Sequence, residues 1–218
     1  MVKAALPAEL VGLGLDPDRP LVVVDVDEVL AMFVRAFERF LGGHGLEMRF
    51  ERYALYQNIF RPGARDHLDL AEGRRLFDLF FLTDMADIEA APGGAEALAA
   101  LARDCSIVIF TNAPSGSREA RARWLAANGL DYPLVCGQGP KGHGVAELAS
   151  RTRGPAAFVD DLLPNLESVA EEAPRVRRFQ MVADERLRPL AFGDPARHRR
   201  IDAWAELGPA IAEALGIG

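Results

Sequence analysis

The run Leu21-Val22-Val23-Val24-Asp25-Val26-Asp27-Glu28-Val29-Leu30 constrains this chain more than any other stretch. Four apolar residues in a row, three of them β-branched, describe a strand buried on both faces, as in the middle of a parallel sheet. The strand ends on two carboxylates one residue apart. In open α/β sheets ligands bind beyond the carboxyl ends of the strands, so Asp25 and Asp27 fall where chemistry is done. If extended geometry persists through Val26, both side chains lie on one side of the chain. Two like charges so close repel, and a divalent, oxygen-seeking cation such as Mg²⁺ would hold them ionised. Taken alone, the pair also fits ordinary turn chemistry at a strand end. The residues at the ends of the later strands decide between the two.

A helix comes next, read from the spacing of Leu30, Phe33, Val34, Phe37 and Leu41 and closed by Gly42-Gly43 and Gly45. Residues 44–90 show no strand pattern. Phe50, Tyr53, Ala54 and Phe60 suggest a short helix, and Leu68, Leu76, Phe77, Leu79 and Phe80 suggest another. Beyond Pro92 the chain alternates. A helix over 93–103 leads to a strand over 106–110 ending at Thr111-Asn112. A helix over 117–127, a short strand at 134–136, a glycine-rich loop holding Lys141 and a further helix come after it. The strand 156–159 ends at Asp160-Asp161, a helix runs through Leu166 and Val169, a fifth strand is expected at 179–182, and the tail from Arg199 reads as helical. This order argues for an α/β fold, a doubly wound parallel sheet. Residues 1–30 and 92–218 form its core, and 31–91 form a small all-α insertion set over the carboxyl edge as a lid. Ten of the seventeen aromatics lie in 31–91. They build that insertion's own core, or some of them line a pocket above the aspartates.

Composition narrows the function classes. The chain has 218 residues and a formal charge of −7, so no electrostatic field draws it to nucleic acid polymers or to a membrane surface. No apolar run reaches the length of a membrane span, and residues 1–20 do not read as a signal peptide, so a cytoplasmic location is the default expectation. Cys105 and Cys136 sit beside or within strands, as buried reduced thiols do. Four scattered histidines and no Cys-x-x-Cys give no zinc site. The Arg-rich stretch 175–200 reads as a solvated face. A homodimer is expected without any residue that specifies it.

Each polar group at a strand end has a plain structural alternative. Thr111 can form a turn, Lys141 can be a solvated loop charge, and Asp160-Asp161 can cap a helix. Their order is harder to attribute to chance, since each follows a strand. Together the segments Val22-Val23-Val24-Asp25-Val26-Asp27-Glu28-Val29, Ile107-Val108-Ile109-Phe110-Thr111-Asn112, Lys141 and Phe158-Val159-Asp160-Asp161 resemble the four motifs of the haloacid dehalogenase (HAD) superfamily of hydrolases. The resemblance implies a HAD-like Rossmannoid core and a phosphatase acting on a small phosphorylated metabolite, such as a nucleotide or sugar phosphate. Asp25 would be the nucleophile that forms an aspartyl-phosphate, and Asp27 the general acid. Mg²⁺ would be held by the Asp25 carboxylate, the Asp27 backbone carbonyl and an acid of the fourth motif. Asp161 would be the direct ligand there, with Asp160 supporting it through water or Lys141. Thr111, Asn112 and Lys141 would bind the phosphoryl oxygens.

Two positions depart from the pattern: Glu28 stands where many relatives have Gly, and Gly142 follows the lysine where Pro is common. The insertion is similar to the helical cap found after the first motif in many relatives. One helix and one strand fill the space between Thr111 and Lys141, too little for a second cap. A weaker resemblance to the 5′(3′)-deoxyribonucleotidase group would place Phe33, Tyr53, Tyr56 and Phe60 against a base. The competing readings are a catalytically silent module that binds a ligand or partner, and a 2-haloacid dehalogenase. The second acid, Asp27, favours phosphoryl transfer over carbon–halogen cleavage.

Overall fold

The computed structural model describes residue 10, residues 12–83 and residues 85–217. Leu21–Val24 is β1, and all four residues are fully buried. In chain order there come α1 (Phe33–Gly43), β2 (Glu47–Met48), β3 (Ile59–Phe60), α2 (Leu70–Thr83), α3 (Gly94–Leu101), β4 (Ser106–Thr111) and α4 (Arg118–Ala127). The second half adds β5 (Leu134–Cys136), α5 (Gly142–Ser150), β6 (Ala156–Asp160), α6 (Leu163–Glu172), β7 (Arg177–Gln180), β8 (Arg199–Arg200) and α7 (Trp204–Leu215).

Six strands form one parallel sheet in the order β5-β4-β1-β6-β7-β8. β1 lies between β4 and β6, with Val24 opposite both Ile109 and Val159. The order reverses at β1, which makes its carboxyl end the topological switch point where α/β sheets bind ligands. Side chains alternate across the sheet. Val22, Val24, Ile107, Ile109 and Val159 join one core with residues of α1, α3, α4 and α7. Leu21, Val23, Val108, Phe110 and Phe158 join the other with residues of α5 and α6. Both faces are therefore covered, as the doubly wound reading expects.

The structure differs from the sequence-based expectation in four places. Residues 44–90 are not all-α: β2 and β3 pair antiparallel, Glu47 with Phe60 and Met48 with Ile59. Strands of two residues carry no readable alternation. Their register depends instead on buried Asn58, whose Nδ2 donates to the Arg52 and Ala54 carbonyls and whose Oδ1 accepts from the Glu51 N–H. The fifth strand begins at Arg177, two residues earlier than expected. Arg199–Arg200 is a sixth strand beside it and not the start of the final helix. The Arg-rich stretch is also less solvated than its composition suggests. Arg188 donates to the carbonyls of Val182, Ala183 and Asp202, and Arg200 to those of Ala191 and Arg188. The forked donors of these side chains satisfy loop carbonyls that the short strands leave unpaired. No helix among the described residues is long and apolar enough to cross a membrane.

His198 fixes the loop ahead of β8. It is buried, and its Nε2 accepts the Asp194 N–H at 3.1 Å beside the Gln180 Oε1 at 3.3 Å. Burial lowers its pKa, against an opposing pull from Asp194 and Glu167 and with support from Arg178 and Arg200. A depressed histidine contributes stability above its unfolded value, about 6.5, and that contribution is lost as pH falls through the folded value. Urea unfolding should therefore show wild type's advantage over His198→Gln shrinking between pH 7.5 and pH 5. An advantage constant over that range would contradict the neutral, accepting role of this ring.

Candidate active site

The carboxyl ends of β1, β4 and β6 and the loop after β5 converge on one point. Pairing of β1 continues one residue past the strand through the Asp25 N–H to the Val159 carbonyl at 3.0 Å. The chain then closes a tight turn in which the N–H groups of Val29, Leu30 and Ala31 all donate to the Val26 carbonyl. This turn separates the two acids of the first motif. Asp25 faces the sheet end, where Lys141 Nζ lies 2.7 Å from its Oδ1 and 2.7 Å from the Asp160 Oδ2. Both Asp27 oxygens instead accept from Arg121 Nη2, at 2.6 and 2.9 Å. The two carboxylates still line one cavity.

Asp25, Asp160 and Asp161 each offer an oxygen within 4.8 Å of the others, and all three are buried. Asp160 is fully engaged: besides Lys141 it accepts from the Leu162 N–H and twice from Asn165 Nδ2. The Asp161 carboxylate accepts from the Tyr53 hydroxyl, at 2.6 Å, and lines the cavity, whereas Asp160 does not. Burial raises the Asp25 pKa to about 7, with Lys141 opposing the rise and Asp160 and Asp27 adding to it. Asp161 is pushed well above the carboxylate range by burial and then by Asp160 and Asp25. Burial works against the Lys141 ammonium, but Asp160 and Asp25 more than offset it and raise its pKa. One buried cation among three buried carboxylates leaves room for a second, and an all-oxygen donor set suits a hard divalent ion such as Mg²⁺.

Asn112 and Lys141 reach the cavity wall; Thr111 is fully buried and does not. Thr111 Oγ1 and Asn112 Oδ1 are buried without a hydrogen-bond partner, while Asn112 Nδ2 donates to the Gly139 carbonyl at 2.8 Å. Unpartnered buried polar atoms beside a cavity are what a polar ligand would satisfy. Of the four aromatics read against a base, Phe33 and Tyr53 line the cavity and Tyr56 and Phe60 do not.

Arg121 escaped the sequence reading. It is fully buried, and its Nε and Nη1 have no hydrogen-bond partner among the described residues. The guanidinium lies over the rings of Phe81 and Trp124, at 5.1 and 6.0 Å. The available signal was its spacing: Arg121, Trp124 and Leu125 share the buried face of α4.

Among the described residues, Glu28 is the non-glycine residue with positive φ, +58°. This left-handed conformation explains why Gly suits the position, and it costs another residue about 1–2 kcal/mol. Here the side chain offsets that cost. Glu28 Oε1 accepts the Val34 N–H at 2.8 Å and Oε2 the Asp184 N–H at 3.0 Å, tying the turn to α1 and to the loop after β7. Burial raises its pKa to about 7, against these two hydrogen bonds. Its carboxylate is thus committed to the backbone and is not one of the clustered acids. Removing the carboxylate should destabilise the fold, and Glu28→Ala, which keeps the strain, should lose about 1 kcal/mol more than Glu28→Gly in denaturant unfolding. Equal losses would show that the turn is not strained.

No family model matches the sequence, and no curated protein matches it. Solved structures do. CbbY from Rhodobacter sphaeroides, crystallised with phosphate, is 21% identical and superposes with a TM-score of 0.57 over 91% of this chain and 100% of its own. A haloacid dehalogenase-like family hydrolase from Xanthomonas campestris is 17% identical, with a TM-score of 0.56 over 92% of this chain and 98% of that one. A haloacid dehalogenase-like family protein from Streptococcus pneumoniae is 13% identical, with a TM-score of 0.58 over 89% and 99%. A central parallel strand that ends on Asp25, flanked by strands ending on Thr111 and on Asp160, thus belongs to a chain with the fold of the haloacid dehalogenase-like hydrolases.

Proposed function

We propose that this protein is a Mg²⁺-dependent phosphatase that hydrolyses a small phosphomonoester through Asp25. The observation that carries this reading is the junction of Asp25, Lys141 and Asp161 at the floor of a cavity that Asp27 also lines. Asp25 Oδ is the nucleophile: it bonds to phosphorus as the ester P–O bond breaks, and the departing alcohol oxygen takes a proton from Asp27. Water then gives a proton to Asp27 and attacks the same phosphorus, releasing phosphate and restoring Asp25. Lys141 orients Asp25 and places a positive charge where phosphoryl oxygens gather. Asn112 lines the cavity, and the Nδ2 hydrogen not given to Gly139 can donate to the same oxygens, whereas Thr111 stands behind the cavity wall. Arg121 holds Asp27 as a carboxylate, so Asp27 must leave it and take up a proton from solvent before it can protonate a departing oxygen.

Asp25, Asp161 and the Asp27 backbone carbonyl would hold Mg²⁺, and Asp160 would act on the site through Lys141. When bound, the ion neutralises charge on the phosphoryl group and keeps the acids ionised. Residues 31–91 act as a cap in this reading. Their Tyr53 reaches the Asp161 carboxylate, and Phe33, Met48 and Phe77 roof the cavity. CbbY, whose fold is shared, has been crystallised with phosphate and, as a variant, with xylulose-(1,5)bisphosphate, which supports a phosphate ester as the class of substrate.

The test is phosphate release from p-nitrophenyl phosphate with and without Mg²⁺. Wild type should turn over only with the metal, Asp25→Asn should fall to background, and Asp27→Asn should lose about 10²–10⁴-fold in kcat. Turnover retained by Asp25→Asn would refute the mechanism.

A further inference from the structure

The cavity above the carboxylates has a volume of about 200 Å³. Its floor is polar, formed by Asp25, Asp27, Asp161, Asn112 and Lys141; its walls include Phe33, Met48, Phe50, Leu55, Phe77 and Leu187. Among the described residues lining it, Lys141 is the one cation, and it is already held by two carboxylates. Arg186 lies 4.7 Å over the Phe50 ring but does not line the cavity, and it is engaged by Asp184 and Glu38. Of the remaining polar lining, Asn112 Oδ1 on the floor has no partner among the described residues, and the Glu28 carboxylate is taken by the Val34 and Asp184 N–H groups. The Tyr53 hydroxyl donates to Asp161 and the Asn165 amide donates to Asp160.

A sugar phosphate or nucleotide would bring hydroxyls, a second phosphate or a base edge against these walls. Each buried polar group left without a partner is costly, and sites that recognise such groups provide partners for them. An apolar group meets no such penalty and is drawn in by the area that it buries. Resting on the phosphatase reading, we infer that the substrate is a phosphate monoester of an apolar alcohol, alkyl or aryl, with the phosphate on the polar floor and the hydrocarbon between the cap aromatics.

The test is kcat/KM with Mg²⁺ for ethyl, butyl and hexyl phosphate, beside glucose 6-phosphate and AMP. Each methylene that enters the cavity should raise kcat/KM by about fourfold until the cavity is filled. Hexyl phosphate should exceed both polar esters, and Leu55→Ser should flatten the series. A flat series in wild type, or glucose 6-phosphate or AMP turned over as well as hexyl phosphate, overturns the inference and leaves the phosphatase reading standing. If no ester is hydrolysed, the phosphatase reading fails and binding decides the cavity's preference. Hexylphosphonate binding more tightly than methylphosphonate by the same step per methylene supports an apolar site, and equal binding overturns it.

Discussion

The ammonium group of Lys141, 2.7 Å from both Asp25 and Asp160, is the interaction on which the rest of the site depends. Three carboxylates buried at one sheet end would repel one another and shed their charge. A single cation at their centre keeps two of them in fixed positions and leaves the third, Asp161, facing the cavity. The cation is costly to bury, and its two ion pairs offset that cost only because the geometry is tight and the remaining oxygens of Asp160 are hydrogen-bonded. The raised acid pKa values show that the offset is incomplete: the site still disfavours its own negative charge. A divalent ion would relieve that excess.

Packing behind the site holds the lysine in place. Lys141 caps the start of α5, and glycines let α5 lie close against α6 and against β4. A Cβ on Gly142 would collide with the Ser168 carbonyl oxygen, and one on Gly144 with the Phe110 ring. The Gly142 N–H is also taken by Ser168 Oγ at 2.9 Å. Glycine after the lysine, a departure from the familiar pattern, is thus a packing requirement of this chain. Glu28 is a departure of the same kind. Its buried carboxylate secures the β1 turn through two backbone N–H groups, and the strained φ accompanies that anchor.

The parts of this structure that were legible in the sequence are those with a repeating signal. Val22, Val23 and Val24 announced a central strand, and the acids and lysine after successive strands were expected at one sheet end, where the structure brings Asp25, Lys141, Asp160 and Asp161 together. The β2–β3 hairpin and β8 were not legible, because a strand of two residues has no period and its pairing depends on side chains such as Asn58. The pairing of Asp27 with Arg121 was hidden for another reason. It joins residues 94 apart in sequence, and it arises because the β1 turn ends the extended geometry that would have kept Asp25 and Asp27 alike. The aromatics build no core of their own among the described residues but join the one on the first face of the sheet. Phe37, Phe80 and Phe81 pack into the core, while Phe33 and Phe77 also face the cavity.

The central claim is that the buried acids form a cation site with Lys141 already in position. Calorimetric titration of Mg²⁺ at pH 7, repeated in two buffers of different ionisation enthalpy, measures both binding and the protons released. One site per chain is expected, with a net release of protons as the raised carboxyl groups ionise and loss of both signals in Asp161→Asn. Binding without proton release, or binding unchanged in that variant, would contradict it.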